Sequence, residues 1–159
     1  MIRYVAGLLF SENGTRVALI LKNHGPVGVI GRWNAIGGKR QWEDWSKPGT
    51  FHVGWANGYE PAHAAMTREF KEETGVTVDS WRSFLTLLGF VEGRPWEVEF
   101  FYAFDTSALA CVRTVEKEVV RIHQLDKLYN VVPNLQWIIP AALAHRRGEV
   151  CVYEVTEKQ

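Results

Sequence analysis

Apolar and polar positions in this chain follow a strand-like period of two over several stretches and switch to a helical period in two places. Residues Tyr4–Phe10 and Arg16–Lys22 are apolar and rich in strand formers, with Ser11-Glu12-Asn13-Gly14-Thr15 between them. Asn-Gly tolerates positive φ, so this stretch predicts a β-hairpin. A loop through His24-Gly25-Pro26-Val27-Gly28 leads into a short strand over Trp33–Gly38, which ends in a glycine pair. Over Glu60–Thr74, Ala62, Ala65, Met66 and Phe70 recur at helical spacing, with Pro61 suited to the first turn and Gly75 to the C-terminal stop. Trp81–Phe90 and Trp96–Phe104 flank Glu92-Gly93-Arg94-Pro95 as a second antiparallel pair. In the later strand Trp96, Val98, Phe100 and Tyr102 alternate with Glu97 and Glu99, which predicts one dry face and one wet face. Short strands over Val119–Leu125 and Gly148–Val155 and a helix over Pro133–His145 complete the pattern. Mixed strands with two separated helices predict an α+β domain, a mixed β-sheet sandwiched between helices.

One stretch keeps no period. Lys39–Tyr59 holds Trp42, Trp45 and Trp55 together with Lys47-Pro48-Gly49. The whole chain, residues 1–159, suits a single domain, and no shift in composition marks a second. Eighteen basic and eighteen acidic residues leave no net charge, which argues against a nucleic-acid polymer as partner because backbone binding needs a clustered positive field. The two cysteines, Cys111 and Cys151, stand in no metal-binding spacing and read as reduced thiols. The N-terminal apolar run lacks the cleavage site and length of a signal peptide, and no stretch approaches the ~20 apolar residues of a membrane span. The expectation is a cytoplasmic domain with no membrane partner.

The helical segment carries the chemistry. Glu69, Glu72 and Glu73 stand at i, i+3 and i+4, so their side chains share one helix face. Like charges so close weaken a bare helix, and their presence points to a cation. An Arg68–Glu72 pair at i, i+4 offsets only a few tenths of a kcal/mol and leaves Glu69 and Glu73 unexplained. His63 reads as a surface histidine rather than a ligand.

The segment resembles the Nudix box, Gly-x5-Glu-x7-Arg-Glu-U-x-Glu-Glu-x-Gly-U, where U is a bulky aliphatic residue. Gly54, Glu60, Arg68, Glu69, Phe70, Glu72, Glu73, Gly75 and Val76 occupy its fixed positions, Phe70 being aromatic where an aliphatic is usual. The resemblance implies a hydrolase of nucleoside diphosphate derivatives that uses Mg²⁺, or Mn²⁺ in its place, and it extends to the order of elements over nearly the whole chain. It implies catalytic roles for Arg68, Glu69, Glu72 and Glu73, with Glu60, Gly54 and Gly75 supporting the motif. Metal ligation then falls to Glu69, Glu72 and Glu73, a backbone carbonyl at Gly38, and an acidic residue beyond the box. For that last position Glu116 and Glu118 are candidates, Glu118 first. The identity of the general base stays open, because family members differ.

Arg32-Trp33-Asn34-Ala35-Ile36-Gly37-Gly38-Lys39 further resembles the Trp-Asn-x-x-Gly-Gly-Lys stretch of the oxidised-purine nucleoside triphosphatases in that family. It implies substrate contacts from Trp33, Asn34 and Lys39, the Asn34 amide offering donor and acceptor to a purine edge. Asn134 stands where that group has an acidic pair, a departure that weakens oxidised-purine specificity. The implied reaction is hydrolysis of a purine nucleoside triphosphate to the monophosphate and pyrophosphate; the alternative is a nucleotide-binding sensor on the same fold. An isomerase of the isopentenyl diphosphate type shares the fold but needs a pocket cysteine that neither thiol supplies. Homodimers are common among relatives and a homodimer is admitted here. In most relatives the glycine pair begins the box, whereas Gly38 precedes Gly54 by sixteen positions. The favoured reading makes Gly38 the box glycine and residues 40–57 a tryptophan-rich insertion; the other makes Gly54 the box glycine.

Overall fold

The computed structural model describes residues 1–43, 55, 58–91 and 93–149. Their elements run β1 (Ile2–Phe10), β2 (Arg16–Leu21), β3 (Trp33–Asn34), β4 (Ile36–Lys39), α1 (Ala62–Thr74), β5 (Arg82–Val91), β6 (Arg94–Phe104), α2 (Thr106–Cys111), β7 (Val119–Gln124) and α3 (Leu135–Arg146). The seven strands form one mixed sheet in the order β3-β2-β1-β6-β5, with β4 also on β1 and β7 also on β2. Parallel pairing of β1 with β6 runs from Ile2↔Trp96 to Phe10↔Phe104, while the other ladders are antiparallel.

β1 is apolar at almost every position because both of its faces are covered. Val5 and Leu9 join Ala18, Ile20, Phe101 and Ala103 in a core closed by Ala65, Met66 and Phe70 of α1. Leu8 and Phe10 point the other way, into a second core with Val17, Leu19, Phe100 and Tyr102 that is closed by Leu135, Ile138 and Ala142 of α3. The period-two alternation thus sorts the chain onto an α1 face and an α3 face. On the α1 face a side chain at Gly7 would run into the Met66 thioether, so glycine is what lets the helix seat closely over β1.

β1 and β2 share only the Phe10↔Val17 step, whereas β4 pairs with the first half of β1 through Tyr4↔Lys39 to Gly7↔Ile36. β2 and β4 therefore diverge along β1. The strand expected over Trp33–Gly38 divides at this divergence: Trp33 and Asn34 pair with β2, and after Ala35 the chain crosses to β1. Helix α1 begins at Ala62 rather than Glu60, because Pro61 adopts an extended ψ of 136° and serves as the cap. Helix α2 was not expected from the sequence. Asp105 caps it, its Oδ1 accepting the Ala108 N–H at 2.8 Å. Phe100 to Ala103 are buried, but Trp96 to Glu99 are half-buried on both faces, so the expected division into a dry and a wet face does not hold over that half of the strand. Gly148 and Glu149 lie beyond α3 in a turn, and the rest of the expected strand to Val155, with Cys151, lies outside the described residues, as do Gly54, Trp45 and most of the Trp-rich stretch. Cys111 is an exposed free thiol. No helix among the described residues is long and apolar enough to cross a membrane.

Phe70 is fully buried and meets the Trp81 ring at 5.1 Å in an edge-on contact. Phe70→Ala is expected to lower unfolding free energy by about 3–5 kcal/mol, and Phe70→Leu, which keeps most of the volume, by less than about 1.5 kcal/mol. Urea denaturation of the two variants checks both figures.

Candidate active site

Helix α1 carries an apolar stripe of Ala65, Met66 and Phe70 against the sheet, which leaves Arg68, Glu69, Glu72 and Glu73 along its flank and outer face. Gly75 ends the helix at φ 75°, its N–H donating to the Lys71 carbonyl. That left-handed cap suits glycine. The side chain of Glu69 is 14% exposed and that of Glu72 is 47% exposed, so the three glutamates stand at graded depths.

Arg68 organises the flank. Its Nε and Nη2 donate to Glu60 Oε1 and Oε2 at 2.9 and 2.8 Å, a two-pronged pair with a carboxylate that is itself buried. Its Nη1 donates to Glu69 Oε1 at 2.8 Å and Glu72 Oε2 at 3.0 Å, and its Nη2 reaches the Lys39 carbonyl at 3.3 Å. The hydrogen bonds it donates to Glu60 hold the guanidinium charged against the opposing effect of burial. Glu60 is fixed in turn: its Oε2 accepts the Gln41 N–H, its own N–H donates to the Gln41 carbonyl at 3.0 Å, and its carbonyl accepts Arg40 Nε at 2.8 Å.

Glu69 lies directly over Gly38. A Cβ on Gly38 would fall inside the Glu69 carboxylate, so the missing side chain is the space the carboxylate occupies. Burial pushes the Glu69 carboxyl above its ordinary range, with Arg68 opposing. Burial pushes Glu73 further, up to about 7, aided by the charges of Glu116, Glu118 and Glu69 and opposed by Lys22. Its Oε2 is buried without a hydrogen-bond partner. Glu118 is also buried, which disfavours its charge. The Lys22 ammonium, the Asn23 N–H at 2.7 Å and His24 overcome that and hold its carboxyl below the ordinary range.

An orphaned buried carboxylate oxygen, carboxyls raised by burial and by neighbouring carboxylates, and a glycine cradle fit a hard divalent cation such as Mg²⁺ or Mn²⁺, which takes oxygen donors. Among the described residues no three acidic, histidine or cysteine side chains already converge on a point, because Arg68 draws Glu69 and Glu72 toward itself.

No protein-family model matches the sequence, and no curated protein matches it either. Solved structures do. A MutT NUDIX hydrolase from Burkholderia pseudomallei superposes with a TM-score of 0.63 at 20% identity over 87% of this chain and 94% of that one. A C. elegans Ap4A hydrolase, in a binary complex, gives 0.60 at 16% identity over 93% and 99%. The NUDIX domain of Shewanella oneidensis NrtR, complexed with ADP ribose, gives 0.59 at 14% identity over 92% and 88%. The fold is the Nudix fold.

Within the Nudix fold the expected substrate contacts separate. Asn34 pairs with Ile20 and so lies on the α1 face, half-buried, its Oδ1 accepting the Ala35 N–H at 2.8 Å. Trp33 turns to the α3 face, where it is buried in the core edge-on to His123 with ring centroids 4.3 Å apart. Lys39 is exposed beside Tyr4, offering its carbonyl rather than its ammonium to Arg68. Asn134 stands at the start of α3 with Oδ1 buried and unpartnered, and His123 Nε2 is buried and unpartnered too. Lys22 and His123 escaped sequence reasoning; only a strand register would have placed Lys22 beside Glu118.

Because Glu73 binds its proton more tightly in the folded state, the fold holds more protons than the unfolded chain between about pH 4.5 and 7. Its contribution therefore becomes destabilising as pH rises through that window and stays so above it. Glu73→Gln is expected to gain stability relative to the metal-free wild type from about pH 4.5 to 7. Thermal melts of both proteins across this range check the sign of the difference.

Proposed function

We propose that this protein is a divalent-metal-dependent hydrolase that cuts a phosphoanhydride bond in a nucleoside diphosphate derivative. The observation that carries the proposal is Glu73, a half-buried residue whose Oε2 is buried without a partner, on a helix face that already presents Glu69 and Glu72. Glu69, Glu72 and Glu73, with the Gly38 carbonyl, would hold Mg²⁺ or Mn²⁺, and Glu118 borders that set. The bound metal supplies neutralisation of phosphate charge and acidification of water. Arg68 keeps Glu69 and Glu72 oriented, and Glu60 keeps Arg68 in place. A glutamate of this set would take the proton from the water that attacks phosphorus. As the new P–O bond forms, the bridging P–O bond breaks and the leaving phosphate carries away the electron pair.

A purine nucleoside triphosphate, giving monophosphate and pyrophosphate, is the favoured substrate, and Asn34, on the α1 face, is its base contact. Trp33, shielded in the core, serves to support it. Homodimerisation is carried as part of the proposal without bearing on the chemistry. Gly38, fitted to Glu69, is taken as the glycine that begins the box, and the Trp-rich stretch as an insertion between it and Glu60. A second reading, a nucleotide-binding module without turnover, draws on the grip of Arg68 on Glu69 and Glu72 and on the ADP-ribose complex of the similar NrtR domain.

Incubation with nucleoside triphosphates, oxidised purines, dinucleotides and nucleotide sugars, with phosphate and pyrophosphate measured separately, is expected to show metal-dependent turnover that chelation abolishes. Tight binding without turnover would establish the second reading instead. Glu72→Gln and Glu73→Gln are each expected to slow turnover about 10²–10⁴-fold, while far-UV circular dichroism stays that of the wild type.

A further inference from the structure

We propose that Lys22 is the resident counter-ion of the acidic face, so that a divalent cation at Glu73 and Glu118 binds in competition with its ammonium. The inference rests on the reading of the α1 face as metal-binding.

The strand register creates the arrangement. Ala18 and Ile20 of β2 and Val120 of β7 point to the α1 face, and the ladder between these strands closes at Leu21↔Val119. One step further, Lys22 falls opposite Glu118 on the same face, and its Nζ bonds Glu118 Oε2. The other oxygen of Glu118 accepts the Asn23 N–H at 2.7 Å and lies 3.1 Å from His24 Nδ1. Glu118 is thus a buried carboxylate with every donor it needs. Glu73 differs: Glu116, Glu118 and Glu69 all repel its charge, and Lys22 is the cation that acts on it.

One ammonium therefore serves the carboxylates at this end of the face, as Arg68 serves those at the other. A dication drawn to the free oxygen of Glu73 is repelled by that ammonium, whose charge already acts on Glu73, and the repulsion is strengthened where burial thins the solvent. Lys22 has the means to leave. Its side chain is 17% exposed on a flexible stem, so its head can turn to water. A cation arriving alone must expel the ammonium against the pull of Glu118. One arriving on a polyphosphate brings anionic oxygens that receive it. The device favours the metal–nucleotide complex over the free metal.

Mn²⁺ binding in the absence of nucleotide, followed by the electron paramagnetic resonance signal of the free ion, tests this. Lys22→Met is expected to tighten Mn²⁺ binding about tenfold, and Lys22→Arg, which keeps the charge, to leave it within about twofold of wild type. Unchanged or weaker Mn²⁺ binding in Lys22→Met overturns the proposal. Should Lys22→Met fail to fold, Lys22→Met/Glu118→Gln is compared with Glu118→Gln alone. Tighter binding in the double variant supports the proposal, and equal or weaker binding overturns it. A wild-type Mn²⁺ affinity that Glu69→Gln and Glu73→Gln leave unmoved overturns the metal site itself, a distinct result.

Discussion

The pairing of Arg68 with buried Glu60 is the interaction on which the rest of the site depends. Both charges leave water, and a buried pair of this kind is favourable only when its remaining hydrogen-bonding capacity is filled. Here it is filled by backbone. Gln41 binds Glu60 through its N–H and its carbonyl, Arg40 caps the Glu60 carbonyl, and Arg68 reaches the Lys39 carbonyl. The pair therefore ties the end of β4, the residue that precedes α1 and the flank of α1 into one unit. The prong of Arg68 that faces outward then has fixed geometry, and Glu69 and Glu72 take their positions from it.

That unit concentrates negative charge at a seam where burial raises its cost. Glu69 has space only because Gly38 lacks a side chain, and it is held by Arg68. Glu118 is satisfied by Lys22 and Asn23. Glu73 has neither cradle nor donor at its Oε2, and so it bears the greatest shift of the three. One carboxylate on this face is thus left with an unsatisfied oxygen while two others are satisfied. The sheet makes this possible: β2 and β4 diverge from β1, so Lys22 and Gly38 approach α1 from different strands.

The strands of the sheet and helices α1 and α3 were legible in the sequence because their periods persist over many residues. The motif of α1 was legible because its spacing is fixed. Other features escaped for identifiable reasons. Helix α2 spans six residues, too few to establish a period, and only the Asp105 cap marks it. Trp33 and Asn34 face opposite sides of the sheet by strand alternation, and which of the two sides is the α1 face depends on their register against β2, so both looked available to a ligand in the sequence. Lys22 reads as an ordinary strand-terminal lysine until the register of β7 sets Glu118 against it. Period belongs to a segment, whereas pairing belongs to two segments distant in sequence.

The break between Gly38 and Glu60 follows the same logic. The Glu60 N–H donates to the Gln41 carbonyl and the Gln41 N–H to the Glu60 carboxylate, Trp42 bridges Tyr59, and the Glu43 N–H donates to the Gly58 carbonyl at 2.8 Å. The described residues on either side of the Trp-rich excursion are thus joined to one another by pairing. The cost of closing such an excursion grows only slowly with its length, and Glu60, Lys39 and Gly38, which lie beside its ends, hold or seat Arg68 and Glu69. A spacing that departs from the usual one between the glycine pair and the first glutamate is therefore compatible with an intact catalytic flank. Because Glu60 is both the anchor of Arg68 and the residue at which the excursion returns, any contact that the excursion makes with substrate acts within reach of the groups that hold the carboxylates in place.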